Sequence, residues 1–397
     1  MNKLNKYLDT YLKHSISFIP LSLTFSIFIA DLICSIGAII FLKKIIKEKI
    51  KIFDNFLIKL LFIFWIYLLF RSIFTSDLTI FIKIFFYIRF ILFGSLLCFL
   101  FSDKRFILLL KNYLFISLIL VSLTAYFEIY FKVNYFNTQL TTGRISGIFG
   151  DELIIGSYLV RTFPIFFALN FFIFKKRSSS IFMFCLVFPI VLYSGERTSI
   201  ILFFLIIFFT LIYLIYIKEI NFKIFTISFV SIITFVSLFL LLSNTEAKNR
   251  MLSISTIENI KHSYQNYKPT YESAFKIFIN NKFFGAGPRN FRNVCAYEKN
   301  YVKDGCTTHP HNIVLQLLSE TGIVGIVFYL LIIFNVVLKF TKTKSENNFI
   351  VAQKYLLILI LINFFPLLPS GNFFNNFMNL LYYLPIGLSL SLFDKKK

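Results

Sequence analysis

Charge is scarce in this chain of 397 residues, where Asp, Glu, Lys and Arg together make up 15%. A soluble domain carries about 25%, so an ordinary soluble enzyme is excluded. Glycine and proline are few, 14 and 9, against 57% hydrophobic residues. That balance excludes a disordered chain. No stretch alternates apolar and polar residues with period two, which sets aside a membrane β-barrel. No G-x-x-x-x-G-K sequence occurs, so there is no nucleotide phosphate loop. Neither an internal repeat nor a matched pair of interrupted apolar helices marks two halves, which lowers the weight of a transporter. The first apolar run is too long for a signal-peptide core and lacks a small-residue cleavage pattern, so it is expected to stay in the membrane.

What remains is apolar length. Runs near twenty residues, enough to cross roughly 30 Å of hydrocarbon as helix, cover almost the whole chain. They predict twelve crossings: 15–30 and 31–43 as a hairpin split at Asp31, then 56–74, 79–101, 107–128, 152–174, 180–193, 198–217, 223–243, 312–338, 350–368 and 374–393. The expected fold is an all-α polytopic membrane bundle. Residues 1–243 supply nine crossings, 244–311 a loop domain, and 312–397 three crossings and a tail.

The formal charge of +22 suits topology better than a polyanion, because no basic block is interleaved as a nucleic-acid groove requires. With the N-terminus inside, the inner connections hold 21 Lys and Arg. The short outer ones hold four, Arg71, Lys132, Arg144 and Arg197. This is the positive-inside asymmetry.

The stretch 244–311 then lies outside, and a connection of that length is functional or disordered. Tyr271, Ala274, Phe275, Ile277 and Phe278 at helical spacing, and a Gly285-Ala-Gly287 turn leading to Phe291, argue for a small helical cap. Cys34, Cys98 and Cys185 fall in apolar runs and read as packing residues. Cys295 and Cys306 share the outer loop, where an oxidising compartment favours a disulfide. Two free thiols, or a zinc site with His309 and His311, are the alternatives, although C-x10-C-x2-H-x-H matches no common zinc spacing.

Two of the four histidines, His309 and His311, flank Pro310 just before the tenth crossing. Pro310 pushes His309 toward extended geometry, so the two rings do not share a helical face. A histidine at that mouth is suited to general-base work near neutral pH, or simply to capping the helix. Glu320 lies about half a turn away from His311 and reads as a structural partner. Gly322 and Gly325 are expected to admit another helix backbone. Arg89, mid-crossing, is a default site residue because an ionisable group there is costly.

His311-Asn312, nine residues, then Gly322-x-x-Gly325 resembles the signature of the O-antigen ligase and polymerase superfamily of bacterial envelope glycosyltransferases. Ser194-Gly-Glu-Arg197 resembles the family's S-G-x-R element, and Gly143–Glu152 its external stretch. The resemblance implies a GT-C-type fold with a periplasmic cap, in the bacterial inner membrane, and a metal-independent, inverting transferase without a cofactor. It implies a glycan donor on undecaprenyl diphosphate, and in the ligases a lipid A core hydroxyl as acceptor. Polymerases instead extend carrier-linked glycan; a lipid-linked oligosaccharide flippase is the rival of another class.

By the same resemblance His311 is the base and Arg197 grips the diphosphate, with Arg144 and Arg161 as further candidates. The family's second loop arginine is missing here, and Lys268, His262, Arg289 or Arg292 stand where its charge would be supplied.

Overall fold

The computed structural model describes residues 3–75, 77–134, 136, 143–242, 246–252, 257–297, 299, 301–344 and 347–393. Its ordered elements are helices, with no strand among the described residues. The first five are α1 (Lys3–Ser22), α2 (Ile27–Glu48), α3 (Phe56–Ile73), α4 (Leu78–Phe85) and α5 (Ile88–Phe101). There follow α6 (Lys104–Phe131), α7 (Ile155–Phe167), α8 (Arg177–Tyr193), α9 (Arg197–Tyr216) and α10 (Phe222–Leu242). The loop region adds α11 (Glu246–Leu252), α12 (Ile257–Asn280) and α13 (Phe291–Val294); α14 (Ile313–Lys342), α15 (Asn348–Asn363) and α16 (Asn376–Ser389) complete the chain.

Seven helical stretches among the described residues are long and apolar enough to cross a membrane: α3, α4 with α5, α6, α7 with the π-helical turn Ala168–Ile173, α9, α10 and α14. The difference from twelve lies in the other long elements. Charge counts against α1 and α2, and α8, α15 and α16 have only 17, 16 and 14 residues. On α10 the side chains of Ile227, Val230, Ile233, Leu238 and Leu241 stand exposed, a surface that lipid rather than water would cover.

Packing divides the chain into two compact units, one of residues 1–110, 262–343 and 364–397, the other of 111–261 and 344–363. In the first, α5 packs on α16 and α2. Gly387 makes the α5–α16 approach possible, since a Cβ there would sit 2.8 Å from the Gly94 carbonyl oxygen. The hairpin between α1 and α2 turns at 23–25, and Ser26 caps α2 by accepting the Ile29 N–H. The split expected at Asp31 is therefore misplaced: Asp31 lies inside α2. It persists there because Arg89 pairs with it at 2.8 Å and Asn376 donates to its second oxygen. The run 79–101 is broken at Phe86 and Tyr87, where the Ile84 carbonyl accepts the Tyr87 N–H at 3.1 Å and the Trp65 indole N–H at 2.9 Å.

The same unit carries the ordered part of the loop region. Ala274 and Ile277 of α12 form a small core with Phe291, Val294 and Cys295, whereas Phe275 faces outward and is not part of the buried stripe. Cys295 and Cys306 are joined as a disulfide, with Cα atoms 5.5 Å apart. The Gly285–Gly287 turn lies backbone to backbone on α14: Ala286 N–H donates to Ser319 O, Gly287 N–H to Glu320 O, and Ile323 N–H to Lys282 O. Gly322 makes this possible with φ of 65°, which kinks α14, and a Cβ there would lie 2.4 Å from the Phe283 carbonyl oxygen. So Gly322 admits a loop backbone rather than a second helix, and a Cβ on Gly325 would meet Thr321 of its own helix.

In the second unit α15 lies against the π-helical turn and α9. Tyr213 donates to Val351 O, and the Thr210 and Tyr355 hydroxyls are 2.8 Å apart. The buried Lys354 reaches the Tyr216 hydroxyl at 3.3 Å, which leaves its charge a polar partner.

Candidate active site

In the first unit the residues before α14 are tied to the loop 364–375. Asn312 is the N-cap of α14, its side chain accepting the Leu315 N–H at 3.0 Å while its amide donates to Pro366 O. Gln316 donates to the Asn372 side chain and accepts the Phe373 N–H. The Ser370 N–H donates to the His311 carbonyl at 2.8 Å. His311 thus has its carbonyl tied to the loop, in a left-handed conformation with φ of 54°.

The two histidine rings meet. His309 and His311 have centroids 4.1 Å apart, and Tyr267 of α12 packs edge-on against His311 at 5.7 Å. His309 is buried, its Nδ1 2.8 Å from the Thr308 hydroxyl and its Nε2 3.3 Å from Ser370 O. Burial pushes its pKa down, and the adjacent His311 pushes it further, to about 4. Burial lowers His311 as well. Both rings are therefore neutral at neutral pH. Among the described residues neither ring nitrogen of His311 has a hydrogen-bond partner, so one is free to accept a proton.

Glu320 is held by three donors, the Arg289 and Phe291 N–H groups and the Gln316 amide. It fixes the turn after Gly287 and does not touch His311. Arg289 sends Nη1 to Phe374 O at 2.9 Å. Arg292 is exposed on α13, and the exposed Lys268 on α12 is 3.7 Å from Glu272. Neither is brought to the histidine pair; the side chain of His262 lies outside the described residues.

The second unit gathers three other candidates around Glu196. The turn Ser194-Gly195-Glu196 sits on the first turn of α7, where Gly156 leaves room; a Cβ there would be 2.7 Å from the Ser194 Oγ. Glu196 accepts the Gly156 and Ser157 N–H groups at 2.7 and 3.1 Å and the Ser199 hydroxyl at 2.9 Å. Burial raises its pKa, and the Arg144 charge opposes that shift. Arg144 donates to Leu153 O, and its buried Nε has no hydrogen-bond partner. Arg161 donates to the carbonyl and hydroxyl of Ser157, and Arg197 opens α9. Arg144 is the cation whose charge acts on Glu196, and Arg161 reaches the same Ser157 whose N–H Glu196 accepts.

Glu196, Ser370 and Tyr267 were missed in the sequence. Nothing in the sequence around Ser370 indicates that it would meet the histidine pair. Among the described residues no group of three His, Cys, Asp or Glu side chains is arranged to hold a metal ion.

These features define a multi-pass helical membrane protein with a histidine at the N-terminal mouth of a long helix. Residues 181–330, just over a third of the chain, match the family model of the O-antigen ligases. That region contains Arg197, the ordered loop and the whole His311–Gly325 segment. No curated protein matches the chain.

Proposed function

We propose that this protein is an O-antigen ligase-like glycosyltransferase of the bacterial inner membrane, with its site facing the periplasm. It moves a glycan from undecaprenyl diphosphate to a sugar hydroxyl of lipid A core. The observation that carries this reading is the neutral His311 ring, fixed through its backbone and with an open nitrogen, inside the segment that matches the family.

In the reaction a ring nitrogen of His311 takes the acceptor hydroxyl proton as the oxygen attacks the anomeric carbon. The new C–O bond forms as the bond to the diphosphate breaks, on the opposite face, so the configuration inverts. The electron pair leaves with the lipid diphosphate, whose charge the family resemblance assigns to Arg197, with Arg144 and Arg161 as further candidates. A diphosphate is already a good leaving group. Positioning, one base and cationic stabilisation therefore suffice, and neither metal nor cofactor is invoked.

A polymerase would use the same donor chemistry with carrier-linked glycan as acceptor. The envelope glycan of a deletion strain tests the assignment. Loss of polymer from lipid A core, with long carrier-linked chains accumulating, is the expected result. Single repeat units left on the core would assign a polymerase instead, and unchanged glycan would overturn both.

A further inference from the structure

The turn that docks on α14 leaves two large aromatic side chains in the open. Phe283 and Phe284, between α12 and the Gly285–Gly287 turn, are 69% and 53% exposed, although the backbone around them is held by two membrane helices. From α14, the Ile323 N–H donates to Lys282 O at 2.9 Å and the Val324 N–H to Phe283 O at 3.3 Å. From α3, Arg71 donates Nε to Phe284 O at 3.1 Å and Nη2 to Gly285 O at 2.8 Å. Its guanidinium carbon lies 5.7 Å from the Phe284 ring centroid and 5.5 Å from that of Phe74.

These contacts fix the height of the pair relative to the bilayer, and two helices give it independently. The 18 residues of α3 span about 27 Å at 1.5 Å per residue, close to the thickness of the hydrocarbon, so the last turn, which carries Arg71, lies at one edge of it. The 30 residues of α14 span about 45 Å, more than the hydrocarbon takes up. Before the kink at Gly322, Ile313, Gln316, Leu317 and Ser319 are buried in protein; from Ile323 onward Val327, Leu330 and Phe334 stand exposed, as on a helix that faces lipid. The lipid-facing part is then 323–342, about 30 Å long, and it begins level with Lys282 and Phe283. The apolar surface is also continuous: Phe70, Ile73 and Phe74 are exposed at the end of α3, beside Arg71. An aromatic rim therefore runs from the lipid-facing side of a crossing onto the loop region, with Lys282 exposed next to it.

We propose that this edge of the loop region is an interfacial membrane anchor, with the rings of Phe283 and Phe284 seated in the first part of the acyl chains of the adjacent leaflet and Lys282 reaching back to the headgroups. Two large rings left in water at the level where hydrocarbon begins lose the burial that the bilayer supplies, and a lysine beside them keeps its charge in the polar layer while its stem lies along the apolar one. The anchor ties the loop region, and with it the α12 helix that carries Tyr267, to the membrane surface. It is separate from the transfer reaction, since it uses neither His311 nor any cation assigned to the diphosphate.

The test is tryptophan fluorescence of the full-length protein in phospholipid vesicles. The chain has one Trp, the buried Trp65, so the emission added by Phe283→Trp, or separately by Phe284→Trp, is read against the unchanged protein. Both positions are exposed, and a larger aromatic ring is expected to leave the fold intact. Lipid brominated near the headgroup end of its chains should quench the added emission at least about twofold more than lipid brominated near the methyl end, as for aromatic side chains of the interface. Aqueous iodide should leave it nearly unquenched. Quenching by iodide and not by brominated lipid would place the edge in water and overturn the proposal. Stronger quenching by the deep bromines would overturn it as well, because the rings would then sit in the bilayer core. Protection from iodide and from both lipids would mean that protein covers the edge, a second copy included, and would equally overturn it.

Discussion

The imidazole of His309 packs against that of His311 at 4.1 Å between centroids, although Pro310 separates them in the chain. The backbone of His311 is left-handed, with φ of 54°, and the second ring lies against the first. His309 is held by the Thr308 hydroxyl and the Ser370 carbonyl, so its ring forms a fixed wall beside His311.

Replacing His311 by Ala should reduce glycan transfer by something like 10²–10⁴-fold, the usual worth of a general base. His309→Ala should cost much less and act through ring placement. Purified protein given lipid diphosphate glycan and acceptor, with a chelator present, measures both. An active His311→Ala variant would remove the base assignment, and inhibition by chelator alone would require a metal.

The pH profile follows from burial. A base must be deprotonated, and both ring pKa values lie below the ordinary histidine value near 6.5, His309 at about 4. Transfer should therefore persist below pH 6.5, with its acid limb further down. Stability carries the same sign: the unfolded chain binds more protons, so stability falls as pH drops from about 6.5 toward 4. A rate profile with its acid limb at or above 6.5 would contradict the assignment to His311.

Arg197→Lys keeps the charge and loses the planar fork. Transfer should fall roughly tenfold or more, consistent with loss of a bidentate phosphate contact, while membrane insertion persists. Wild-type turnover in that variant would show that Arg197 does not hold the diphosphate.

Gly322→Ala tests the backbone contact beneath the loop. A φ of 65° with ψ of −162° lies in a region essentially reserved for glycine and costs roughly 1–3 kcal/mol for a residue with a Cβ, and the overlap with Phe283 O adds to it. A clear drop in melting temperature in detergent is expected. An unchanged melting temperature would mean that the loop does not dock there.

Mass spectrometry without prior reduction should find Cys295 and Cys306 linked. Their reduction should destabilise the cap by about 2–3 kcal/mol, the range for a short closed loop. Two free thiols would withdraw the argument for an oxidising compartment.

The sequence by itself determined the helical class, because apolar runs of bilayer length admit no other backbone arrangement that satisfies every N–H and C=O. It also gave reason to expect a structured loop before α14, and through its resemblance to the O-antigen ligase signature it singled out His311, Arg197 and Gly322. The tertiary structure decided what those residues meet. Asp31 looked like a hairpin turn because a buried charge is costly. Only the arrival of Arg89, 58 positions later, shows why it can stay inside a helix. Gly322 looked like a helix-packing residue, yet its partner is a loop about forty positions upstream. Glu196 had no signal at all, since its role rests on two N–H groups about forty residues away. Periodicity and composition are local sums that one chain segment carries alone. Which charge is neutralised, and by whom, is a pairing across segments that is fixed only when burial removes water and leaves each polar group to find its partner.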